Sequence, residues 1–233
     1  MPIFTTPGAL RIQIVSRHLS GHFHRFQMPD SSYEKERRIG IQAVLKASRI
    51  CLTVFDRIAS QDITLIKEDR SPVTIADYAA QAVINTVLHE AFSSDVIVGE
   101  EDADELSKQP ALLASVLSLV RSELGPDFSS EQLIKAINLG NGIGGKGRFW
   151  TLDPIDGTKG FLRGDQFAVC LALIVDGQVE VSVMGCPNLP MDLQDSNSPR
   201  GSLFVGVRGQ GAFQVCHLKI VSSARSQRKA EIA

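Results

Sequence analysis

The sequence has little net charge, no long apolar run and no closely spaced cysteines. Its formal charge is only −2 over 233 residues, so it lacks the strongly basic character with which proteins bind nucleic acid or anionic membranes. No apolar stretch approaches the length of a transmembrane helix. Its four cysteines lie far apart, which is typical of reduced, mostly buried thiols and not of a disulfide or zinc framework. We therefore expect a cytoplasmic protein without a nucleic-acid or membrane partner.

The first 27 residues contain no acidic side chain, but they contain Arg11, Arg17, Arg25 and three histidines. This composition is typical of a mitochondrial transit peptide, which leaves a mitochondrial location as the alternative. A disordered extension ahead of a natural start at Met28 fits equally well. We therefore separate residues 1–30 as a targeting-like or disordered extension, 31–216 as the folded domain, and 217–233 as a divergent, basic tail.

Periodicity predicts the fold class. Apolar residues at three- and four-residue steps indicate a helix that includes Val44 to Ile58, and a second helix is expected from Thr74 to Phe92, with Thr74 and Asp77 as a capping pair. The other predicted elements are helices over 106–124 and 130–139 and strands over 96–98, 166–175, 178–185, 203–207 and 213–215. We expect an α+β fold in which N-terminal helices pack on a mainly antiparallel sheet.

The most informative segment is Asp153-Pro154-Ile155-Asp156-Gly157-Thr158. It places two carboxylates three residues apart, and its proline and glycine determine the backbone between and after them. Oxygen ligands on a stiff turn suit a hard cation such as Mg²⁺. The alternative is an ordinary Asx turn at the end of a strand, because Asp, Pro and Gly are common turn residues.

Acidic residues upstream favour the metal site over the plain turn. Two like charges about 5 Å apart repel by roughly 3 kcal/mol at an effective dielectric near 20, so clustered carboxylates must protonate or bind cations. Two or three divalent ions would neutralise such a cluster and serve phosphate hydrolysis. Taken singly, these residues are also explained as a helix cap or a solvated acidic turn. The acids that we expect to converge are Asp77, Glu100, Glu101, Asp153 and Asp156.

Two side chains beside the acidic turn add chemistry. The Thr158 hydroxyl can orient an attacking water whose proton Asp77 accepts. Lys159 is either a surface residue or a cation that helps to hold phosphate. A glycine loop, Gly140 to Gly145, satisfies G-x-G-x-x-G, but it follows a predicted helix and precedes a strand, which is the reverse of the dinucleotide-binding context. We interpret it as a flexible loop.

Three separated motifs then carry a resemblance. Ser71 to Gln81 contains Asp77, Gly99-Glu100-Glu101 follows, and the Asp153 to Thr158 turn comes last. This order is similar to that of the lithium-sensitive, magnesium-dependent phosphatases, a superfamily that includes the inositol monophosphatases. The run from Thr158 to Cys170 looks most like the 3′(2′),5′-bisphosphate nucleotidases of fungi and plants. The resemblance covers roughly residues 33–215.

The resemblance implies a function and a set of site residues. The reaction would remove the 3′-phosphate of adenosine 3′,5′-bisphosphate to give AMP, or that of 3′-phosphoadenylyl sulfate to give adenylyl sulfate. The cofactor would be two or three Mg²⁺ ions. Asp77 and Thr158 would activate water, and Gly157, Thr158 and Lys159 would contact the substrate. The implied metal-binding residues are Glu100, Glu101, Asp153, Ile155 through its carbonyl, and Asp156.

One departure from the family pattern concerns the C-terminal half. The family carries a C-terminal α/β domain with a Trp-Asp-x-x-Ala motif, whereas the single tryptophan here is Trp150. We therefore expect a chain that lacks this domain and leaves an apolar face uncovered. The open alternatives are an inositol phosphate phosphatase and a non-catalytic metal-binding fragment. The sequence gives no expectation for the oligomeric state.

Overall fold

A computed structural model describes residues 33–59, 72–195 and 197–216, together with the backbone of two short N-terminal strands. These are β1 (Val15–Arg17) and β2 (Phe23–Arg25), which pair antiparallel. The remainder of the predicted extension over 1–30, and the predicted tail over 217–233, lie outside the described residues.

Six strands form the main sheet in the order β3-β4-β5-β6-β7-β8. Only β3 and β4 pair parallel in this sheet, and the later neighbours are antiparallel. The α+β prediction with a mainly antiparallel sheet is therefore confirmed. The strands are β3 (Val96–Val98), β4 (Arg148–Asp156), β5 (Ala168–Val175), β6 (Gln178–Pro190), β7 (Arg200–Val207) and β8 (Gly211–Cys216). The helices are α1 (Glu34–Ala59), α2 (Pro72–Ala91), α3 (Asp104–Ser107), α4 (Pro110–Leu124), α5 (Ser130–Asn138) and α6 (Thr158–Arg163).

Helices α1 and α2 lie side by side on one face of the sheet, and α4 and α5 pack on α2. Alternate strand residues such as Leu171, Leu173 and Val183 point into this interface and are buried, as expected for strands with one face in the core. Helix α2 carries alanines at its contacts, which lets it approach its neighbours closely. No helix in the described ranges combines the length and apolar character needed to cross a membrane.

Among the described residues, the opposite face of the sheet is accessible to solvent. It contains a groove of about 460 Å³ that is lined by strand residues alone. Met184 lies on this face and is 42% exposed. The uncovered apolar face expected from the sequence stays a prediction. Other residues that line the groove are Cys170, Ala172, Ser182, Phe204 and Ala212.

Two sequence expectations about the elements are wrong, and one element was not predicted. The helix expected over 106–124 is two helices, because Pro110 begins α4 and the preceding Gln109 is extended, with φ −127° and ψ 87°. Helix α2 begins at Pro72 and not at Thr74, so Thr74 lies inside the first turn. Helix α6 was not among the elements predicted from the sequence.

The glycine loop is part of the sheet edge. It follows α5 and precedes β4, as the sequence indicated, and its first residues are hydrogen bonded to β3. The N–H of Gly142 donates to the carbonyl of Ile97 at 3.0 Å, and the N–H of Gly99 donates to the carbonyl of Gly140 at 2.7 Å. A Cβ at Gly142 would collide with the Ile97 carbonyl oxygen. The loop glycines therefore permit a close approach of two backbones.

An aromatic cluster anchors the short helix α6 to the core. The Phe161 ring is fully buried. Its centroid lies 5.5 Å from that of Phe55 on α1 and 4.8 Å from that of Phe167, which precedes β5. Both contacts are edge-on, the arrangement that aromatic quadrupoles favour. Since α6 follows the Asp153 to Thr158 turn directly, this cluster determines where the turn lies.

We expect Phe161→Ala to lower the free energy of unfolding by about 3–5 kcal/mol, because it removes a buried ring and leaves a cavity. Leu162→Ala is the matched control, since Leu162 is the next residue and is 43% exposed; its loss should stay below about 1 kcal/mol. Urea denaturation measures both. Equal losses for the two variants would contradict the anchoring role of the Phe161 ring.

Candidate functional site

The parallel pair β3 and β4 brings two acids to one edge of the sheet. Val98 is paired with Thr151. Glu100 lies two residues after Val98, and Asp153 lies two residues after Thr151. Their carboxyl groups are close enough to share a hydrogen bond. Strands that run in the same direction end at the same edge, which is why acids from distant parts of the chain meet there.

A bulge in β4 places Asp156 on the same face as Asp153. Residues three apart in a regular strand point to opposite faces. Here Asp153 is opposite Cys170, whereas Asp156 is opposite Ala168, so β4 contains one more residue than β5 over this stretch. The extra residue returns Asp156 to the face of Asp153, as β-bulges do when they redirect a side chain.

The backbone between these two aspartates is tightly constrained. The Asp153 carboxylate accepts the N–H of Ile155 at 3.1 Å, which closes an Asx turn. The Ile155 side chain is buried, and its carbonyl accepts the Thr158 hydroxyl at 3.4 Å. Gly157 has φ 88°, a left-handed conformation that glycine adopts without steric cost. The Asx turn that the sequence offered as an alternative to a metal site is therefore present, and it forms part of the acidic site.

Helix α2 contributes Asp77, which is only 9% exposed. Burial and, to a smaller extent, the neighbouring charges of Glu101, Glu100 and Asp153 together raise the pKa of this carboxyl to about 8. A buried carboxyl beside other carboxylates resists ionisation for both reasons. Asp77 is thus the most deeply buried carboxyl of an acidic cluster at this edge of the sheet.

The pKa values of Asp153 and Glu101 are raised by the same two causes, burial and neighbouring carboxylates. Burial, followed by the charges of Glu100 and Asp156, raises the pKa of Asp153 to about 6. The pKa of Glu101 is also raised, first by burial and then by Glu100, although a hydrogen bond from the Tyr78 side chain opposes this shift. These electrostatic couplings show that Asp77, Glu100, Glu101, Asp153 and Asp156 come together in the folded chain.

The remaining predicted residues surround this cluster. Thr158 and Lys159 form the first turn of α6, and the Lys159 side chain is exposed. Sequence reasoning missed Tyr78, whose contact with Glu101 no motif signals. It also missed Cys170, which the bulged pairing places opposite Asp153.

The donor set fits a hard cation. Carboxylates and one backbone carbonyl supply oxygen ligands, which Mg²⁺ prefers, and the clustering of like charges gives a cation a favourable place to bind. Burial, then Asp156 and Asp153, raises the pKa of Cys170 to about 12, so this thiol stays protonated and does not compete as a ligand. In the parts of the chain that the structure describes, no group of three or more His, Cys, Asp or Glu side chains is positioned to hold a metal ion, so ligation by this set requires the side chains to move.

The pKa of Asp77 predicts how the stability of the metal-free protein depends on pH. The folded protein holds the Asp77 proton up to about pH 8, whereas an unperturbed carboxyl, at pKa 3.8, has lost it. The folded state therefore binds more protons between these values, and the free energy of unfolding should fall as the pH rises, by at most about 1.4 kcal/mol per pH unit from this group.

Urea denaturation in a chelator, at about pH 5 and about pH 8, measures this slope. Asp77→Asn should flatten it, because asparagine does not titrate. Asp165→Asn is the control, since Asp165 pairs with Arg163 on the surface, where both side chains are more than 60% exposed. An unchanged slope in Asp77→Asn would show that Asp77 is ionised in the folded protein.

Comparison with known proteins identifies a family. The chain matches the model of the inositol monophosphatase family over residues 32–232. It is 45% identical over 197 residues to the 3′(2′),5′-bisphosphate nucleotidase of Schizosaccharomyces pombe, covering 78% of this chain and 56% of that protein. It is 41% identical over 221 residues to the 3′(2′),5′-bisphosphate nucleotidase of Emericella nidulans, covering 85% and 61%.

A plant relative and a solved bacterial structure are also similar. The 3′(2′),5′-bisphosphate nucleotidase 1 of Arabidopsis thaliana is 38% identical over 221 residues, covering 87% of this chain and 61% of that protein. The structure of CysQ from Bacteroides thetaiotaomicron, a bacterial member of the inositol monophosphatase family, aligns with a TM-score of 0.46 at 21% identity, covering 85% and 56%. The chain spans 56–61% of the length of these curated relatives. It belongs to the inositol monophosphatase family.

Proposed function

We propose that this chain is a Mg²⁺-dependent phosphatase that removes the 3′-phosphate of adenosine 3′,5′-bisphosphate to give AMP and phosphate. The corresponding 3′-phosphate of 3′-phosphoadenylyl sulfate is a second substrate. Relatives named 3′(2′),5′-bisphosphate nucleotidase, 38–45% identical over 78–87% of this chain, support the substrate class.

The convergence of five carboxylates at one edge of the sheet carries this proposal. Two of them, Asp77 and Asp153, have raised pKa values because burial and neighbouring acids disfavour their charged forms. A structural cluster gains nothing from such repulsion, whereas a phosphatase needs cations at the position where phosphate binds. The cluster is therefore better explained by chemistry than by stability.

Members of the family are generally Mg²⁺-dependent, and we propose two or three ions for this chain. When bound, the ions supply a polarised phosphate and an acidified water. Glu100, Asp153 and Asp156 offer carboxylates to them, with Glu101 beside these. The carbonyl of Ile155, which lies on the turn between Asp153 and Asp156, completes the donor set.

Asp77 and Thr158 handle the proton of the attacking water. With cations bound, the neighbouring acids would be offset and the ionised form of Asp77 would be favoured. The Thr158 hydroxyl would then orient the water, and the Asp77 carboxylate would accept its proton as the water oxygen attacks phosphorus and the bond to the 3′ oxygen breaks. Gly157 and Lys159 lie next to Thr158, where a backbone N–H and an exposed ammonium group can hold the phosphate oxygens.

Release of inorganic phosphate from adenosine 3′,5′-bisphosphate, with and without Mg²⁺, tests the proposal on this chain. We expect Mg²⁺-dependent release that falls at least about 100-fold in Asp77→Asn, the size of effect that loss of a general base produces. Asp165→Asn, a surface substitution, should leave the rate unchanged.

Two other results would overturn the proposal. Faster turnover of an inositol monophosphate than of the bisphosphate nucleotide would identify an inositol phosphate phosphatase. Binding of Mg²⁺ without release of phosphate from either substrate would identify a non-catalytic metal-binding chain.

A further inference from the structure

A glutamine lies at the centre of the site and takes no part in the chemistry described above. Gln81 is four residues after Asp77 on α2, so the two side chains lie one above the other on the same face of the helix. The Gln81 side chain has no exposed surface. A buried carboxamide is costly unless its donors and acceptor are all satisfied.

The Gln81 carboxamide is fully used by backbone groups. Its oxygen accepts the N–H of Glu100 at 3.0 Å and that of Glu101 at 2.9 Å. Its nitrogen donates to the carbonyl of Glu101 at 2.5 Å and to that of Ile137 at 3.2 Å. A glutamine side chain has two donors and one carbonyl oxygen with two lone pairs. Three of the four bonds hold the backbone of the acidic turn.

Two glycines make the space for this side chain. A Cβ at Gly99 would lie 2.5 Å from the Gln81 carboxamide oxygen, and a Cβ at Gly140 would lie 2.8 Å from its nitrogen. Both distances are shorter than any tolerable contact, so alanine at either position would displace the carboxamide. The Gln81 carboxamide therefore packs between Gly99 and Gly140, and a side chain at either position would collide with it.

We propose that Gln81 is a positioning residue, which holds the backbone of Glu100 and Glu101 at a defined separation from Asp77 and thereby sets the affinity of the site for Mg²⁺. The metal and the role of Asp77 rest on the proposed function; the hydrogen bonds do not. Outer-shell residues that orient metal ligands change metal affinity or activity by about 10–100-fold when they are removed.

Asn85 provides a matched control. It lies one turn further along α2, is equally buried, and donates to the carbonyls of Ala136 at 2.9 Å and Ile137 at 3.2 Å. It makes no hydrogen bond to the acidic turn among those that the structure describes. Gln81→Leu and Asn85→Leu each remove a buried carboxamide, but only the first releases Glu100 and Glu101.

Two measurements on the full chain separate the variants. Calorimetric titration with Mg²⁺ should show a Kd that is about 10–100-fold higher in Gln81→Leu and unchanged in Asn85→Leu. Amide hydrogen exchange, measured by NMR without metal, should be accelerated at Glu100 and Glu101 in Gln81→Leu and unchanged there in Asn85→Leu. Gly99→Ala, which keeps the glutamine but displaces it, should reproduce both effects and guards against a Gln81→Leu chain that does not fold.

The outcomes are distinguishable. Equal Mg²⁺ affinities in Gln81→Leu, Gly99→Ala and the wild type would overturn the role of Gln81 while leaving the proposed function intact. A wild-type chain that binds no Mg²⁺ would overturn the proposed function and with it the effect on metal affinity. Even then, unchanged exchange at Glu100 and Glu101 in Gln81→Leu would show that the glutamine does not hold the turn.

Discussion

Repulsion among carboxylates is the constraint on which the rest of this structure depends. Asp77, Glu101 and Asp153 all have raised pKa values, and in each case neighbouring acids add to the effect of burial. A chain that only needed to fold would separate such groups, because each close pair opposes compaction. The fold must therefore hold the acids together by interactions made elsewhere.

Those interactions come from the layers behind the site. The core between the sheet and the helices α1 and α2 holds the ends of β3 and β4 in register. The Phe161 ring locks α6 behind the acidic turn. A second anchor joins the sheet to the helices at the opposite end of β4, where Arg148 pairs with Asp95 at 2.8 Å and Glu36 at 3.0 Å, and the Trp150 indole donates to the same Asp95 carboxylate at 2.9 Å. The site thus sits on rigid elements.

Much of this arrangement could be predicted from the sequence, for identifiable reasons. Helices α1 and α2 have long apolar periodicities, and the strand before Glu100 is short and apolar, so the location of the acids at strand ends followed from pattern alone. The helix expected over 106–124 is interrupted because proline disfavours helix at the residue before it, here Gln109. The short helix α6 was not among the predicted elements, and its buried Phe161 contacts residues far along the chain.

Other features lie beyond local patterns. The bulge between Asp153 and Asp156 depends on the pairing with β5, which no short segment encodes. Gln81 reads as an ordinary residue on a helix, because its four partners come from two segments far along the chain. Sequence reasoning identifies the charged groups, whereas the neutral groups that orient them become visible only in three dimensions.

The glycine loop beside β3 has a consequence for the outer boundary of the sheet. β3 is an outermost strand of three residues, and an outermost strand normally offers unpaired N–H and C=O groups to another polypeptide. Here the Ile97 carbonyl and the Gly99 N–H are already bonded to the loop, and Asn141 bridges to Val98. These backbone groups of Ile97 and Gly99 are therefore already paired within the chain and are not available to a strand from another molecule.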